Sequence, residues 1–215
     1  MRVLFLGNSQ IVSVGNLPEL VRKLSASAPA STPRIESGAV TLGGATIQTV
    51  WEDERTRAEL QHGRYDWVLC HEIVYSYGGN GARLREYGRK IFEAAQAQGT
   101  KLLSYASGDV EGARHTHESM YNDAAELARA CGGRVAGGGM AWLKAWAKRP
   151  ELDFHCPDRA HAGELGYYVN ACVVFAALTD CSPVGLDACG LNASDAQFLQ
   201  EIAWAQYLDD RKNEQ

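Results

Sequence analysis

Short apolar segments alternate with longer segments of helical periodicity along this chain, and this alternation limits the folds that it can adopt. The apolar segments lie at residues 3–6, 35–42, 65–70, 101–105 and 134–136. Helical patterns follow Asn16 and cover residues 52–61, 81–98, the stretch up to about 131, 164–179 and 195–208. The connections between successive strands are too long for hairpins, so the pattern predicts a parallel sheet of about five strands with helices on both faces.

We expect a single domain over residues 1–215. That length supports one substantial core, no period of 20 to 50 residues repeats, and no linker divides the chain. The net charge is −5 and the 21 Lys and Arg residues are dispersed, which argues against a nucleic-acid partner. The first apolar run is too short for a signal peptide and none approaches a membrane span. We therefore expect a cytoplasmic protein that does not bind membranes.

The histidines and cysteines do not show the spacing of a metal site. The six cysteines lack a C-x-x-C pair and are expected to be free thiols. His115 and His117 are two apart, so on a helix they point in different directions. His71 and His155 each have a ligand-type residue only as an immediate neighbour, Glu72 and Cys156. We therefore expect neither a metal nor another cofactor.

Two motifs near opposite ends of the chain carry the residues of a hydrolytic triad. Gly7-Asn8-Ser9 follows the first strand, and Asp158 and His161 lie three residues apart before the helix at 164–179. Ligands of open parallel sheets bind at the carboxyl ends of the strands, where Ser9 lies. The motifs predict that Asp158 orients His161 and that His161 takes the proton of the Ser9 hydroxyl. Without catalysis, Ser9 would be a turn residue and Asp158 a helix cap.

These motifs resemble those of the SGNH (GDSL-like) hydrolases. The G-N-S block resembles the nucleophile block of that family, and D-x-x-H followed by Gly166-Tyr167-Tyr168 resembles its last block. The likeness is greater to a bacterial branch with an N-terminal G-N-S, on three further segments: residues 65–72, 139–142 and 182–185. The resemblance implies a flavodoxin-like three-layer α/β/α fold and an esterase that uses Ser9, Asp158 and His161.

The resemblance also implies an oxyanion hole with three donors. The first is the Ser9 amide, and the second is the amide of Gly44, with Gly43 as the next choice. The third in the family is an asparagine from G-x-N-D, a motif that is absent directly after residue 70. Asn80 and His71 are the two candidates here, and Asn80 is slightly favoured because an amide donates at every pH.

We therefore expect a serine hydrolase acting on a small ester, with a carbohydrate acetyl ester as the leading example. An acyltransferase would use the same residues and differ in excluding water. The alternative from another class is a non-catalytic flavodoxin-like domain in which Gly7-Asn8-Ser9, placed before a helix, binds a small anion. Trp142 and Trp146, four residues apart, are expected to pack in the core or under a lid.

Overall fold

The computed structural model of the protein describes residues 1–213. Five strands form one sheet: β1 (Arg2–Gly7), β2 (Glu36–Thr41), β3 (Trp67–Cys70), β4 (Lys101–Ala106) and β5 (Arg134–Gly137). All neighbours are parallel, in the order β2-β1-β3-β4-β5. The predicted parallel sheet is therefore confirmed.

Eight helices cover the sheet: α1 (Leu17–Ser27), α2 (Ile47–Glu52), α3 (Glu54–His62), α4 (Gly81–Gln96), α5 (His117–Ala130), α6 (Gly138–Lys148), α7 (Glu164–Thr179) and α8 (Ala193–Asn213). Short 3₁₀ turns lie at Tyr75–Tyr77 and Arg114–Thr116. Within residues 1–213, none of the helices combines the length and the apolarity that crossing a membrane would need.

Successive residues of the strands point to two separate cores, as a sheet covered on both faces requires. Val3 and Phe5 of β1 pack with residues of α1, α6, α7 and α8. Leu4 and Leu6 pack with residues of α2, α4 and α5 on the opposite face. The result is a three-layer α/β/α fold, which confirms the predicted class.

Two helix boundaries differ from the sequence prediction for reasons of capping. The helix predicted at 52–61 corresponds to α3, which begins at Glu54 because the Asp53 side chain caps it by accepting hydrogen bonds from the N–H groups of Arg55 and Thr56. The separate helix α2, which ends at Glu52, was not predicted. The last helix begins at Ala193, where the Asn192 side chain accepts from the N–H of Asp195 at 2.9 Å. The start predicted for this helix at residue 195 is therefore two residues late.

Candidate active site

Ser9 lies in a tight turn directly after β1 and is held there by its neighbours. The Asn8 side chain accepts a hydrogen bond from the Gln10 N–H at 3.1 Å and donates one to the Ala45 carbonyl, also at 3.1 Å. The Tyr167 hydroxyl of α7 donates to the Ser9 carbonyl at 3.0 Å. These bonds fix the backbone on both sides of Ser9 and leave its hydroxyl partly exposed.

Residues 154–163, which we call the histidine loop, hold Asp158 and His161. The loop is closed by a hydrogen bond from the Cys156 N–H to the His161 carbonyl at 2.9 Å and one from the Gly163 N–H to the Phe154 carbonyl at 2.8 Å. At its tip, Arg159 has φ of 59° and its guanidinium pairs with Glu111 and Asp153. The loop is therefore fixed both by its own backbone and by ion pairs.

The structure brings Ser9, His161 and Asp158 together in the order that proton transfer requires. His161 Nε2 lies 2.9 Å from Ser9 Oγ, and His161 Nδ1 lies 2.7 Å from Asp158 Oδ2. With Nδ1 protonated and donating to the carboxylate, Nε2 is left to accept the serine proton. Asp158 does not cap α7, which begins six residues later at Glu164.

The second oxygen of Asp158 is satisfied by three donors. Oδ1 accepts hydrogen bonds from the Cys156 thiol at 2.9 Å and from the N–H groups of Ala160 and His161 at 2.8 and 2.9 Å. The thiol bond, the His161 N–H bond and the His161 ring bond hold the pKa of Asp158 well below its usual range. The same bonds therefore favour the ionised form of Asp158.

Ser9 and His161 open into a cavity of about 410 Å³ at the carboxyl end of the sheet. The cavity is lined by Asn8, Ser9, Gln10, Gly44, Ile73, Val74, Tyr77 and His161. Its volume falls within the range of small-molecule sites, roughly 300–1,000 Å³. Tyr77 stands at the mouth with 55% of its surface exposed.

Two backbone N–H groups of this cavity are without a protein acceptor. Within residues 1–213, the N–H groups of Ser9 and Gly44 make no hydrogen bond. Gly44 has φ of 66°, a left-handed conformation that glycine adopts without strain. Gly43, the second choice of the sequence, does not line the cavity. Free donors beside a nucleophile are what a developing oxyanion needs.

The two candidates for a third donor do not line the cavity and have other partners. Asn80 is exposed at the start of α4, where its side-chain oxygen accepts from the Arg83 N–H at 2.9 Å. His71 is buried, with Nδ1 3.1 Å from the Tyr105 carbonyl and Nε2 3.4 Å from Ser107 Oγ. The structure does not bring either of them to the cavity.

The other residues considered for a metal or ligand role lie on the surface or pack in the core. His115 is exposed, whereas His117 is buried and bonded through both ring nitrogens, to the Gly139 carbonyl and the Asp109 N–H. Burial lowers the pKa of His117 to about 4. Trp142 and Trp146 are buried, as expected of packing residues.

Three residues to which the sequence assigned no individual role hold the site together. Cys156 bonds to Asp158, Tyr167 bonds to the Ser9 carbonyl, and the Gln10 side chain donates to the Ala160 carbonyl at 3.0 Å. Gln10 therefore links the nucleophile turn to the histidine loop. Closeness in sequence was the one available signal, since Gln10 follows Ser9 and Cys156 precedes Asp158 by two residues.

Comparisons with known proteins give likeness in structure but not in sequence. No protein-family model matches the chain, and no curated protein matches its sequence. A proposed SGNH hydrolase from Slackia heliotrinireducens superimposes with a TM-score of 0.67 at 19% identity, over 83% of this chain and 98% of that one. A DUF4886 family protein from Bacteroides uniformis superimposes with a TM-score of 0.69 at 18% identity, over 97% of this chain and 95% of that one.

Esterases are among the structural neighbours as well. A variant of an acetyl xylan esterase from Geobacillus stearothermophilus superimposes with a TM-score of 0.57 at 13% identity, over 86% of this chain and 95% of that one. The chain therefore has the fold of the SGNH hydrolases, which confirms the fold that the sequence resemblance implied.

Proposed function

We propose that this protein is a serine esterase of the SGNH type. The observation that carries the proposal is the relay from Ser9 Oγ to His161 Nε2 at 2.9 Å and from Nδ1 to Asp158 at 2.7 Å. A fully ionised Asp158 next to Nδ1 favours the tautomer with a free Nε2 lone pair. The esterases among proteins of the same fold support the reaction class.

The reaction follows from the geometry in two halves. Ser9 Oγ attacks the ester carbonyl as His161 takes its proton, and the oxyanion forms beside the free N–H groups of Ser9 and Gly44. The protonated His161 then gives its proton to the departing alcohol. Water, activated by His161, releases the acid and restores Ser9.

A short acyl group on a larger alcohol is the proposed substrate, with an acetylated carbohydrate as the leading example. Several proteins of this fold are named as acetyl xylan or acetyl-xylooligosaccharide esterases. In this chain, Ile73 and Val74 give the cavity apolar surface beside Ser9, and Tyr77 at the mouth offers an aromatic face. The acyl group occupies the cavity and the alcohol lies toward Tyr77.

The anion-binding alternative loses the helix end on which the sequence interpretation depended. That reading places Gly7-Asn8-Ser9 directly before a helix, so that the amino end of the helix attracts an anion. The first helix begins only at Leu17, and the Asn16 side chain caps it by accepting from the Glu19 N–H. No helix within residues 1–213 begins at Ser9.

Labelling with a fluorophosphonate tests the proposal. We expect rapid, stoichiometric modification that mass spectrometry maps to Ser9, because the reagent requires an activated serine. Ser9→Ala should abolish labelling. Ser13→Ala is the matched control, since Ser13 lies in the same turn but bonds to the Tyr167 hydroxyl. An unlabelled wild-type protein would favour a non-catalytic binding domain.

A further inference from the structure

The thiol of Cys156 adds a third metal-ligand atom to the His161–Asp158 pair. One ligand atom each from Cys156, Asp158 and His161 lies within 4.8 Å of the others. The hydrogen bond from the Cys156 N–H to the His161 carbonyl ties the two residues across the histidine loop. The catalytic relay uses the ring and the carboxylate, so the thiol is additional to it.

We propose that Cys156, Asp158 and His161 form an inhibitory site for a thiophilic divalent ion, Zn²⁺ above all. Sulfur, imidazole nitrogen and carboxylate oxygen are the ligands that Zn²⁺ prefers. Zinc–ligand bonds of roughly 2.0–2.3 Å in a tetrahedron place ligand atoms about 3.5 Å apart. The contacts of Asp158 with His161 Nδ1 at 2.7 Å and with Cys156 Sγ at 2.9 Å are shorter than this spacing and need to open slightly. No pair of ligand atoms in the set is more than 4.8 Å apart, so none needs to close by more than a little over 1 Å.

The ion reaches the site from solvent. The side chains of His161 and Asp158 are 25% and 47% exposed, whereas Cys156 lies beneath them and is 5% exposed. Water takes the fourth position. Mg²⁺ and Ca²⁺ are excluded by chemistry, because they favour oxygen ligands and gain little from a thiolate or an imidazole.

Metal binding reverses the tautomer on which the relay depends. Zn²⁺ takes the Nδ1 lone pair of His161, so the single proton of the neutral ring moves from Nδ1 to Nε2. The Cys156 thiol proton passes to solvent as the thiolate binds the metal. Nε2 then carries a proton and cannot accept one from Ser9. The inhibition rests on the proposed function, but the binding does not.

Calorimetry on the Ser9→Ala protein, freed of metal, tests the binding separately from activity. We expect one equivalent of Zn²⁺ to bind, and no detectable binding of Mg²⁺. Adding Cys156→Ser should weaken Zn²⁺ binding at least tenfold, since a hydroxyl is a poor replacement for a thiolate. Adding Cys189→Ser, the matched control at a partly exposed cysteine outside the loop, should leave it unchanged.

Cadmium gives a second measurement that does not depend on how the Cys156→Ser and Cys189→Ser variants fold. One equivalent of Cd²⁺ should produce thiolate-to-metal charge-transfer absorption in the Ser9→Ala protein. Absence of Zn²⁺ binding, or equal affinity in the Cys156→Ser and Cys189→Ser proteins, would overturn the site. Absence of the cadmium absorption would overturn thiolate ligation.

The activity arm uses the wild-type protein and a short p-nitrophenyl ester. We expect Zn²⁺ to lower the rate at least tenfold and EDTA to restore it, with Mg²⁺ without effect. Cysteine-dependent binding in a protein that never hydrolyses the ester would sustain the metal site and count against the esterase. Hydrolysis that persists at saturating Zn²⁺ would overturn the inhibition.

Discussion

Two loops flank Ser9, and they use their polar side chains in opposite ways. The histidine loop presents Asp158 and His161 toward the nucleophile. The loop between β3 and α4, residues 71–80, lines the cavity with Ile73, Val74 and Tyr77. Its Glu72 is buried and makes a bidentate ion pair with Arg83. The contrast teaches that, in the proposed esterase, one loop supplies the reacting groups and the other supplies the shape of the cavity.

The largest effects should come from the nucleophile and the histidine loop. Ser9→Ala and His161→Ala should each lower kcat for a short p-nitrophenyl ester by about 10⁴-fold, because each removes a whole proton-transfer step. Ser9→Ala exposes no new core surface, so thermal unfolding should be unchanged. Wild-type hydrolysis by Ser9→Ala would refute the assignment.

The losses of kcat caused by the two substitutions should not add, because members of a relay act as a unit. The double variant Ser9→Ala/His161→Ala should be no slower than either single variant. Asp158→Asn should cost as much as His161→Ala or less, since it leaves the ring in place but removes the charge that fixes its tautomer. Losses that multiply in the double variant would indicate separate roles.

The oxyanion donors should produce the next largest effect. Gly44→Ala places a side chain at φ of 66° and shifts the free N–H, so kcat should fall by about 10²-fold with KM little changed. Gly43→Ala is the control, because an added methyl there meets no atom within 4 Å and its φ lies outside the left-handed region. Equal rates in both variants would place the oxyanion elsewhere.

Asn80→Ala tests whether the β3–α4 loop also contributes a side-chain donor to the oxyanion hole. We expect the loss of the α4 cap to cost about 1 kcal/mol of stability while kcat stays within a few-fold. His71→Ala provides the parallel test of the second candidate. If one of them lowers kcat by about 10²–10³-fold with KM unchanged, that residue is the third donor that the sequence predicts.

A smaller effect, on KM rather than kcat, should follow from Tyr77→Ala. Removing the exposed ring at the cavity mouth should raise KM for esters of large alcohols about fivefold, equivalent to ~1 kcal/mol of lost apolar contact. Tyr77→Phe should retain wild-type KM because it keeps the ring. Steady-state kinetics with acetyl esters of small and large alcohols measures the difference. An equal KM rise for both would exclude alcohol binding at Tyr77.

Protonation of His71, the buried histidine of the β3–α4 loop, should change the stability of the protein and not its activity. Burial lowers the pKa of His71 to about 4, below the value near 6.5 of the unfolded chain. The unfolded state therefore binds more protons between these values, so stability is complete above about pH 6.5 and falls as the pH drops toward 4. Each such histidine adds up to about 1.4 kcal/mol per pH unit to the slope of the free energy of unfolding against pH.

Urea unfolding between pH 4.5 and 7.5 measures that slope. His71→Gln keeps a donor for the Tyr105 carbonyl and should reduce the slope, leaving the part due to His117. His62→Gln, at an exposed site, should leave the slope unchanged. A slope that His71→Gln does not reduce would contradict the origin proposed here.

The sheet and the approach of Ser9 to His161 could be predicted because both depend on side-chain type and spacing. Apolar runs mark strands, and parallel strands bring their carboxyl ends to one edge. The oxyanion donors could not be predicted in the same way, since a backbone N–H has no side-chain signature. Asn80 remains a prediction, because a helix cap and an amide donor use the same side chain and the sequence does not distinguish them. Asp53 and Asn192 also cap helices, and their caps set helix starts that differ from the predicted ones.

The bond between Ser9 and His161 spans 152 positions of the chain. A ribosome makes the nucleophile turn first and the histidine loop only after the whole sheet, so the hydroxyl has no base until α7 docks beside α1 late in synthesis. Fragments ending before residue 158 would display an unactivated serine. Two separately made pieces, divided between β5 and the histidine loop, would regain reactivity only on reassociation. If the proposed function holds, reactivity of Ser9 would therefore report that the chain has been made through α7 and that α7 has docked.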